Sequence, residues 1–117
     1  MATTVVIVDD HPGFRASATA LLEDEGFVVV GEAADGDEAI AAVERLRPQI
    51  VLLDIQLPGR DGFGVAERLA AGRHRPHVVL ISSRDAAAYG SRLTATSAEG
   101  FIPKSELSGS ALAALVR

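Results

Sequence analysis

The residues of this 117-residue chain best suited to chemistry are Asp9 and Asp10, Asp54, the hydroxyls of Ser82 and Ser83, and Lys104. Lys104 is the only lysine; the other ten basic residues are arginines. A lone lysine among arginines marks a place for a compact ammonium rather than a planar fork. Carboxylates brought close together repel one another and titrate as a set. A hard divalent cation relieves that repulsion, and Mg²⁺ takes carboxylate, carbonyl, phosphate and water oxygens. The adjacent pair Asp9-Asp10 can supply one direct and one water-mediated contact. A carboxylate beside such a metal can be a nucleophile and form an aspartyl phosphate. Metal and lysine then offset charge on the transferring phosphoryl group, and a serine hydroxyl can bond one of its oxygens.

That chemistry requires residues far apart in sequence to converge, and the elements between them predict that they do. Five short apolar runs, Val5–Val8, Phe27–Val30, Ile50–Leu53, His77–Ile81 and Gly100–Ile102, read as strands. They are nearly continuous in hydrophobicity, as parallel strands buried on both faces are. The intervening segments read as helices. Pro12 to Glu25 opens with proline and closes at Gly26. Asp35 with Glu38 is a capping-box pattern, followed by Ala39, Ile40, Val43 and Leu46 at the helical period and stopped by Pro48. A third helix runs from Asp61/Gly62 to Ala71, with Gly72 as terminator. Ala86 to Thr96 is a weaker, Ala-rich fourth. A fifth runs from Ser105 or Ser108 to Arg117. Five βα units with right-handed crossovers make a doubly wound α/β sandwich. Ligands in such sheets bind at the carboxyl ends of the strands. Asp9-Asp10, Asp54, Ser82-Ser83 and Lys104 all fall there. The loop Ile55-Gln56-Leu57-Pro58-Gly59-Arg60-Asp61-Gly62 is a shaped turn able to offer a carbonyl to a metal or N–H groups to phosphoryl oxygens.

Composition narrows the function further. Sixteen acidic against eleven basic residues leave a net charge of −5, which argues against nucleic-acid binding by this domain itself. The absence of cysteine excludes disulfides, Cys-ligated zinc, iron–sulfur clusters and thiol catalysis. No apolar run approaches the ~18 residues of a membrane span. The N-terminus lacks a signal-peptide pattern. The expectation is one cytoplasmic domain over residues 1–117 with no membrane contact.

Four segments together resemble a response regulator receiver domain of bacterial two-component signalling. They are Val5-Val6-Ile7-Val8-Asp9-Asp10-His11-Pro12, Leu53-Asp54-Ile55-Gln56-Leu57-Pro58-Gly59 with Asp61-Gly62, Leu80-Ile81-Ser82-Ser83, and Gly100-Phe101-Ile102-Pro103-Lys104. The Asp-Asp-His-Pro start is similar to the subclass often joined to a C-terminal helix-turn-helix. The resemblance implies a flavodoxin-like fold with strand order 2-1-3-4-5. It implies Asp54 as phosphoacceptor and Mg²⁺ held by Asp10 directly, Asp9 through water, Asp54, and the Gln56 backbone carbonyl. It implies Ser82 as the hydroxyl that moves to the phosphoryl group, Lys104 as its ion-pair partner, and Phe101 as the aromatic coupled to that hydroxyl. A sensor histidine kinase is the implied donor. A homodimer through helix 4–strand 5–helix 5 or helix 1–helix 5 is the implied output. Such a domain is a switch that assists its own phosphorylation, not an enzyme with a separate substrate. The chain departs from the family after the lysine. Ser105 stands where proline is usual, and Pro103 precedes. A cis Lys104–Ser105 bond would cost about 3 kcal/mol.

Other residues take plainer readings. His11 helps start the first helix. Tyr89 is a partly exposed helix residue. Asp35, Asp37 and Glu38 are capping acids, and Asp85 caps the Ala-rich helix. His74 and His77 flank Pro76 in a solvated turn with Arg73 and Arg75. Three other functions compete. A haloacid-dehalogenase-type phosphatase needs a D-x-D pattern after strand 1 and a cap, whereas this chain has Asp9-Asp10-His11 and no cap segment. A flavin carrier needs a hydroxyl- and glycine-rich loop, where this chain has Pro12-Gly13-Phe14-Arg15. A phosphate-independent receiver acting by constitutive contact is suggested only by the Pro103-Lys104-Ser105 departure.

Overall fold

A computed structural model describes residues 2–116. Five parallel strands form one sheet in the order β2-β1-β3-β4-β5. They are β1 (Thr4–Val8), β2 (Val28–Ala33), β3 (Ile50–Asp54), β4 (His77–Ser82) and β5 (Gly100–Pro103). The helices are α1 (Pro12–Asp24), α2 (Gly36–Leu46), α3 (Gly62–Ala70), α4 (Arg92–Ala95) and α5 (Gly109–Leu115). This is the expected doubly wound topology. No helix among the described residues is long and apolar enough to cross a membrane.

The unbroken apolar runs have a simple cause. Successive strand residues point to opposite faces, and each face carries its own core. Val6, Val8, Val51, Leu53, Val78 and Leu80 pack with residues of α2 and α3, including Ala39, Val43, Val65 and Leu69. Val5, Ile7, Ile50, Leu52, Val79 and Ile81 pack on the other side with Ala18 and Leu22 of α1 and Leu112 of α5. Every residue of β3 is buried.

Register then aligns the strand ends. Val8 pairs with Leu53, Asp54 with Ile81, and Ile81 with Ile102. Asp9, Asp54, Ser82 and Lys104 therefore leave four adjacent strands at nearly the same height. Pro103 is tolerated in β5 because that strand is an edge of the sheet.

Caps set the helix starts. Asp35 Oδ1 accepts the Glu38 N–H at 2.9 Å, and Glu38 Oε1 accepts the Ala34 N–H at 2.9 Å, one residue earlier than in a standard capping box. Asp61 Oδ1 accepts the Gly64 N–H at 2.9 Å, while its other oxygen meets Arg92 at 2.8 Å. That N–H and the guanidinium lower the Asp61 pKa. Ser108, not Ser105, caps α5, accepting the Ala111 N–H at 3.0 Å. Lys104–Glu106 form a 3₁₀ turn instead.

Three expectations are corrected. β2 runs to Ala33, because pairing with β1 carries it through Gly31 and Glu32, which no apolar pattern marks. The single helix over 86–96 is a 3₁₀ turn at Ala86–Ala88 and a four-residue α4. Gly90, at φ +54°, breaks it, and Asp85 makes no side-chain cap bond. His74 and His77 are engaged rather than merely solvated: His74 Nε2 lies 2.6 Å from the Pro48 carbonyl and His77 Nδ1 2.8 Å from Glu99. All peptide bonds among the described residues are trans, Lys104–Ser105 included.

The turn from β3 into α3 depends on Gly62, whose N–H donates to the Ile55 carbonyl at 2.7 Å. A methyl there would fall 2.6 Å from Ile55 Cα and against the Asp54 carbonyl, both backbone. A methyl on Gly64 would make only an ordinary contact, with Asp61 Oδ1 at 3.6 Å. Two alanine substitutions in one helix should therefore have opposite signs. Gly62→Ala should lower stability to urea by about 2 kcal/mol, and Gly64→Ala should raise it by about 0.5 kcal/mol.

Candidate functional site

The carboxyl end of the sheet gathers four groups able to ligate a metal. Asp9, Asp10, His11 and Asp54 each offer one atom, and these atoms lie within 4.8 Å of one another. Asp9 and Asp54 are buried; Asp10 is half-buried and His11 exposed. Lys104 enters from β5. Its Nζ is 2.5 Å from Asp9 Oδ2 and 3.4 Å from Asp54 Oδ2. The ammonium also lies 4.5 Å from the centre of the Phe14 ring, a cation–π contact on its apolar side. The departure at Ser105 thus leaves the lysine beside Asp54.

Backbone donors fix the carboxylates. The Gln56 N–H donates to Asp54 Oδ1 at 3.1 Å. The His11 N–H donates to Asp9 Oδ1 at 2.8 Å. The His11 ring then closes on the pair, with Nδ1 3.0 Å from Asp9 Oδ1 and 3.1 Å from Asp10 Oδ1. His11 is the N-cap residue of α1 but makes no side-chain cap bond. Its place over two carboxylates is a role the helix-start reading missed; adjacency to Asp9-Asp10 was the available signal. Arg15 donates to the Asp9 carbonyl at 2.5 Å and to Glu32 Oε1 at 2.9 Å, tying α1 to the ends of β1 and β2.

Burial raises the Asp54 pKa. The Gln56 N–H and the Lys104 ammonium pull it back, and the Asp9 charge pushes it up further. The donor set fits a hard cation. Asp9 Oδ2 and Asp10 Oδ1 are buried without a well-aligned hydrogen bond, although Lys104 and His11 approach them closely. Such carboxylate oxygens are the ligands Mg²⁺ prefers.

Ser82 is fully buried and Ser83 exposed. Ser82 Oγ accepts the Arg84 N–H at 3.0 Å and lies 2.6 Å from the Tyr89 hydroxyl. Tyr89 stands between Phe63 and Phe101, edge-on to both, at centroid distances of 5.8 and 6.0 Å. It is half-buried and follows the 3₁₀ turn, not a helix residue as expected. Nothing in its sequence neighbourhood announces this contact, because residues seven apart within one helix or one strand are too far from each other to hydrogen-bond. A groove of about 420 Å³ between the C-terminal ends of α2 and α3, with Arg47, Arg68 and His74 in its lining, lies at the opposite end of the sheet.

The family model of the response regulator receiver domain matches residues 5–117. The chain belongs to the response regulator receiver family. A putative transcriptional regulator of Pseudomonas aeruginosa is 38% identical over 102 residues, covering 87% of this chain and 49% of the relative. The DNA-binding transcriptional activator EvgA of Escherichia coli K12 is 31% identical over 110 residues, covering 94% and 54%. This receiver thus spans about half the length of these relatives. Among solved structures, the signal receiver domain of the putative response regulator NarL from Mycobacterium tuberculosis superposes with a TM-score of 0.85 at 33% identity, covering 97% of this chain and 96% of that one. The receiver family is a signalling family rather than one of conventional enzymes.

Two substitutions at this receiver's acid cluster should move stability in opposite directions. Because the Asp54 pKa is raised, the folded state holds that proton more tightly than the unfolded chain does. Its contribution to stability therefore falls as pH rises from the ordinary aspartate range to the raised value, then levels off. In EDTA, Asp54→Asn should raise the urea midpoint at neutral pH, with the gain shrinking as pH falls into the ordinary range. Lys104→Met should lower stability by about 3 kcal/mol, because it leaves buried Asp9 without its ammonium.

Proposed function

We propose that this receiver accepts a phosphoryl group on Asp54 from the phosphohistidine of a sensor histidine kinase, with Mg²⁺ at the acid cluster. The observation that carries the reading is the position of Asp54. Its carboxylate is buried, oriented by the Gln56 N–H, next to Lys104 and within ligand distance of Asp9 and Asp10. One Asp54 oxygen attacks phosphorus, the phosphorus–nitrogen bond of the donor breaks, and the imidazole leaves with the electron pair. Lys104 holds positive charge where the phosphoryl oxygens arrive. Asp10 and Asp9, with Asp54 itself and the Gln56 carbonyl, are the residues we assign to the metal. Bound there, Mg²⁺ would supply Lewis-acid neutralisation of the phosphoryl oxygens. His11 orients the acid pair through its shared Nδ1.

Ser82 is the hydroxyl we assign to a phosphoryl oxygen, and Phe101 belongs to the aromatic group that repacks with it. The consequence is a shifted conformational equilibrium at α4, β5 and α5. That surface, or α1 with α5, then binds a second copy or a partner. The relatives are named as transcription regulators, which supports control of transcription as the process served. A cytoplasmic site of action goes with a kinase donor.

The test is intact mass after incubation with Mg²⁺ and acetyl phosphate. One added phosphoryl group is expected, absent in EDTA and absent in Asp54→Asn. Modification that persists in Asp54→Asn would refute the assignment, as would an unchanged mass with both acetyl phosphate and a phosphorylated kinase.

A further inference from the structure

Tyr89 is the only tyrosine of a chain without tryptophan. Its hydroxyl lies 2.6 Å from Ser82 Oγ, and the strand pleat explains why they meet. Ile81 packs in the core on the α1/α5 face. Ser82, one residue later, turns to the opposite face, where Tyr89 packs with Phe63 and Phe101. Asp54 follows Leu53, which packs toward α2 and α3. Asp54 therefore turns to the α1 face, where Lys104 lies over Phe14. The serine and the aspartate leave neighbouring strands on opposite sides of the pleat.

Ser82 has one hydroxyl proton and two lone pairs. A phosphoryl oxygen only accepts, so Ser82 must donate that proton to bond one. In its present rotamer its partners are Tyr89 and the Arg84 N–H, and Asp54 is not among them. Reaching a group carried by Asp54 takes Ser82 into another staggered well. The bond to Tyr89 is lost unless the ring follows.

We propose that Tyr89 is a positioning residue for Asp54 phosphorylation: its phenol latches Ser82 in the unphosphorylated receiver, and capture of Ser82 by the phosphoryl group frees Tyr89 and the segment it anchors. The proposal rests on the acceptor role of Asp54 given above. The segment is short and weakly built: a 3₁₀ turn, Gly90 at φ +54°, and the four-residue α4. Its other side-chain ties to α3 are Arg92, which meets Asp61 Oδ2 at 2.8 Å and lies 4.3 Å from the Phe63 ring centre, and, two residues past α4, Ser97, whose hydroxyl donates to Glu67 Oε1 at 2.6 Å. Phe101 has no hydroxyl and cannot hold Ser82. It forms one wall of the slot in which Tyr89 sits, so the hydroxyl half of the switch belongs to Tyr89.

The test is a titration of the whole chain with beryllofluoride and Mg²⁺, a phosphoryl mimic, in wild type, Tyr89→Phe, Ser82→Ala and the double variant. Tyr89→Phe removes one ordinary hydrogen bond from the unliganded state and should tighten binding about three- to tenfold. In the Ser82→Ala background the same change should have no effect, which a merely structural tyrosine would not produce. Wild-type tyrosine emission, arising from this one ring, should change along the binding curve. Unchanged or weaker binding by Tyr89→Phe, or an equal effect with and without Ser82, overturns the latch alone. No response in wild type overturns the acceptor reading and the latch with it.

Discussion

The contact on which the rest depends is the Lys104 ammonium, 2.5 Å from one buried carboxylate and 3.4 Å from another. Burying an ionised carboxylate costs several kcal/mol, and this chain buries two, Asp9 and Asp54. Lys104 makes that tolerable, and Phe14 holds the lysine in place from below. With Asp10 half-buried beside them, three carboxylates face one ammonium and leave two negative charges when all are ionised. A fold selected only for stability would not keep that surplus. It is the charge complement of the divalent cation we assign to these residues.

The sheet exists to make this convergence cheap. Four adjacent parallel strands in register place their carboxyl ends at one height, so no long loop has to reach for the site. Asp9 and Asp54 are the residues next to, or at the end of, fully buried strand segments. Their backbone positions inherit the rigidity of the core. The one tight turn required, from Asp54 into α3, uses Gly62 because any side chain would strike the backbone of Asp54 and Ile55.

Much of this was legible in the sequence. Continuous Val and Ile runs gave the strands, and capping acids such as Asp35 and Asp61 gave the helix starts. Strand-end positions pick out Asp9, Asp10, Asp54, the Ser82-Ser83 pair and Lys104; burial then separates Ser82 from exposed Ser83. What failed did so for physical reasons. Gly31 and Glu32 carry no strand pattern, yet β2 continues through them because an edge strand takes its length from its neighbour β1. The segment 86–96 looked helical because alanine favours helix, but it buries too little to outweigh Gly90. The contacts of Tyr89 and His11 were less legible than their positions: His11 does start α1, but only its adjacency to Asp9-Asp10 hinted at more. Their significance lies in partners fixed by tertiary geometry, Ser82 for one and the Asp9-Asp10 pair for the other.

The same pleat that builds two cores also divides the site. Asp9, Asp54 and Lys104 belong to the side carrying α1, where charge is concentrated and matched. Ser82, Tyr89, Phe63 and Phe101 belong to the side carrying α3 and α4, where packing is aromatic and the chain is least regular. Ser82 is the small hydroxyl at that boundary, buried and already hydrogen-bonded. A larger or apolar residue there would remove the hydroxyl that bonds Tyr89 and the Arg84 N–H. On the reading we propose, Ser82 is the rotatable side chain that joins the acid cluster to the short α4 segment, and Tyr89, which restrains it, sets how readily the two communicate.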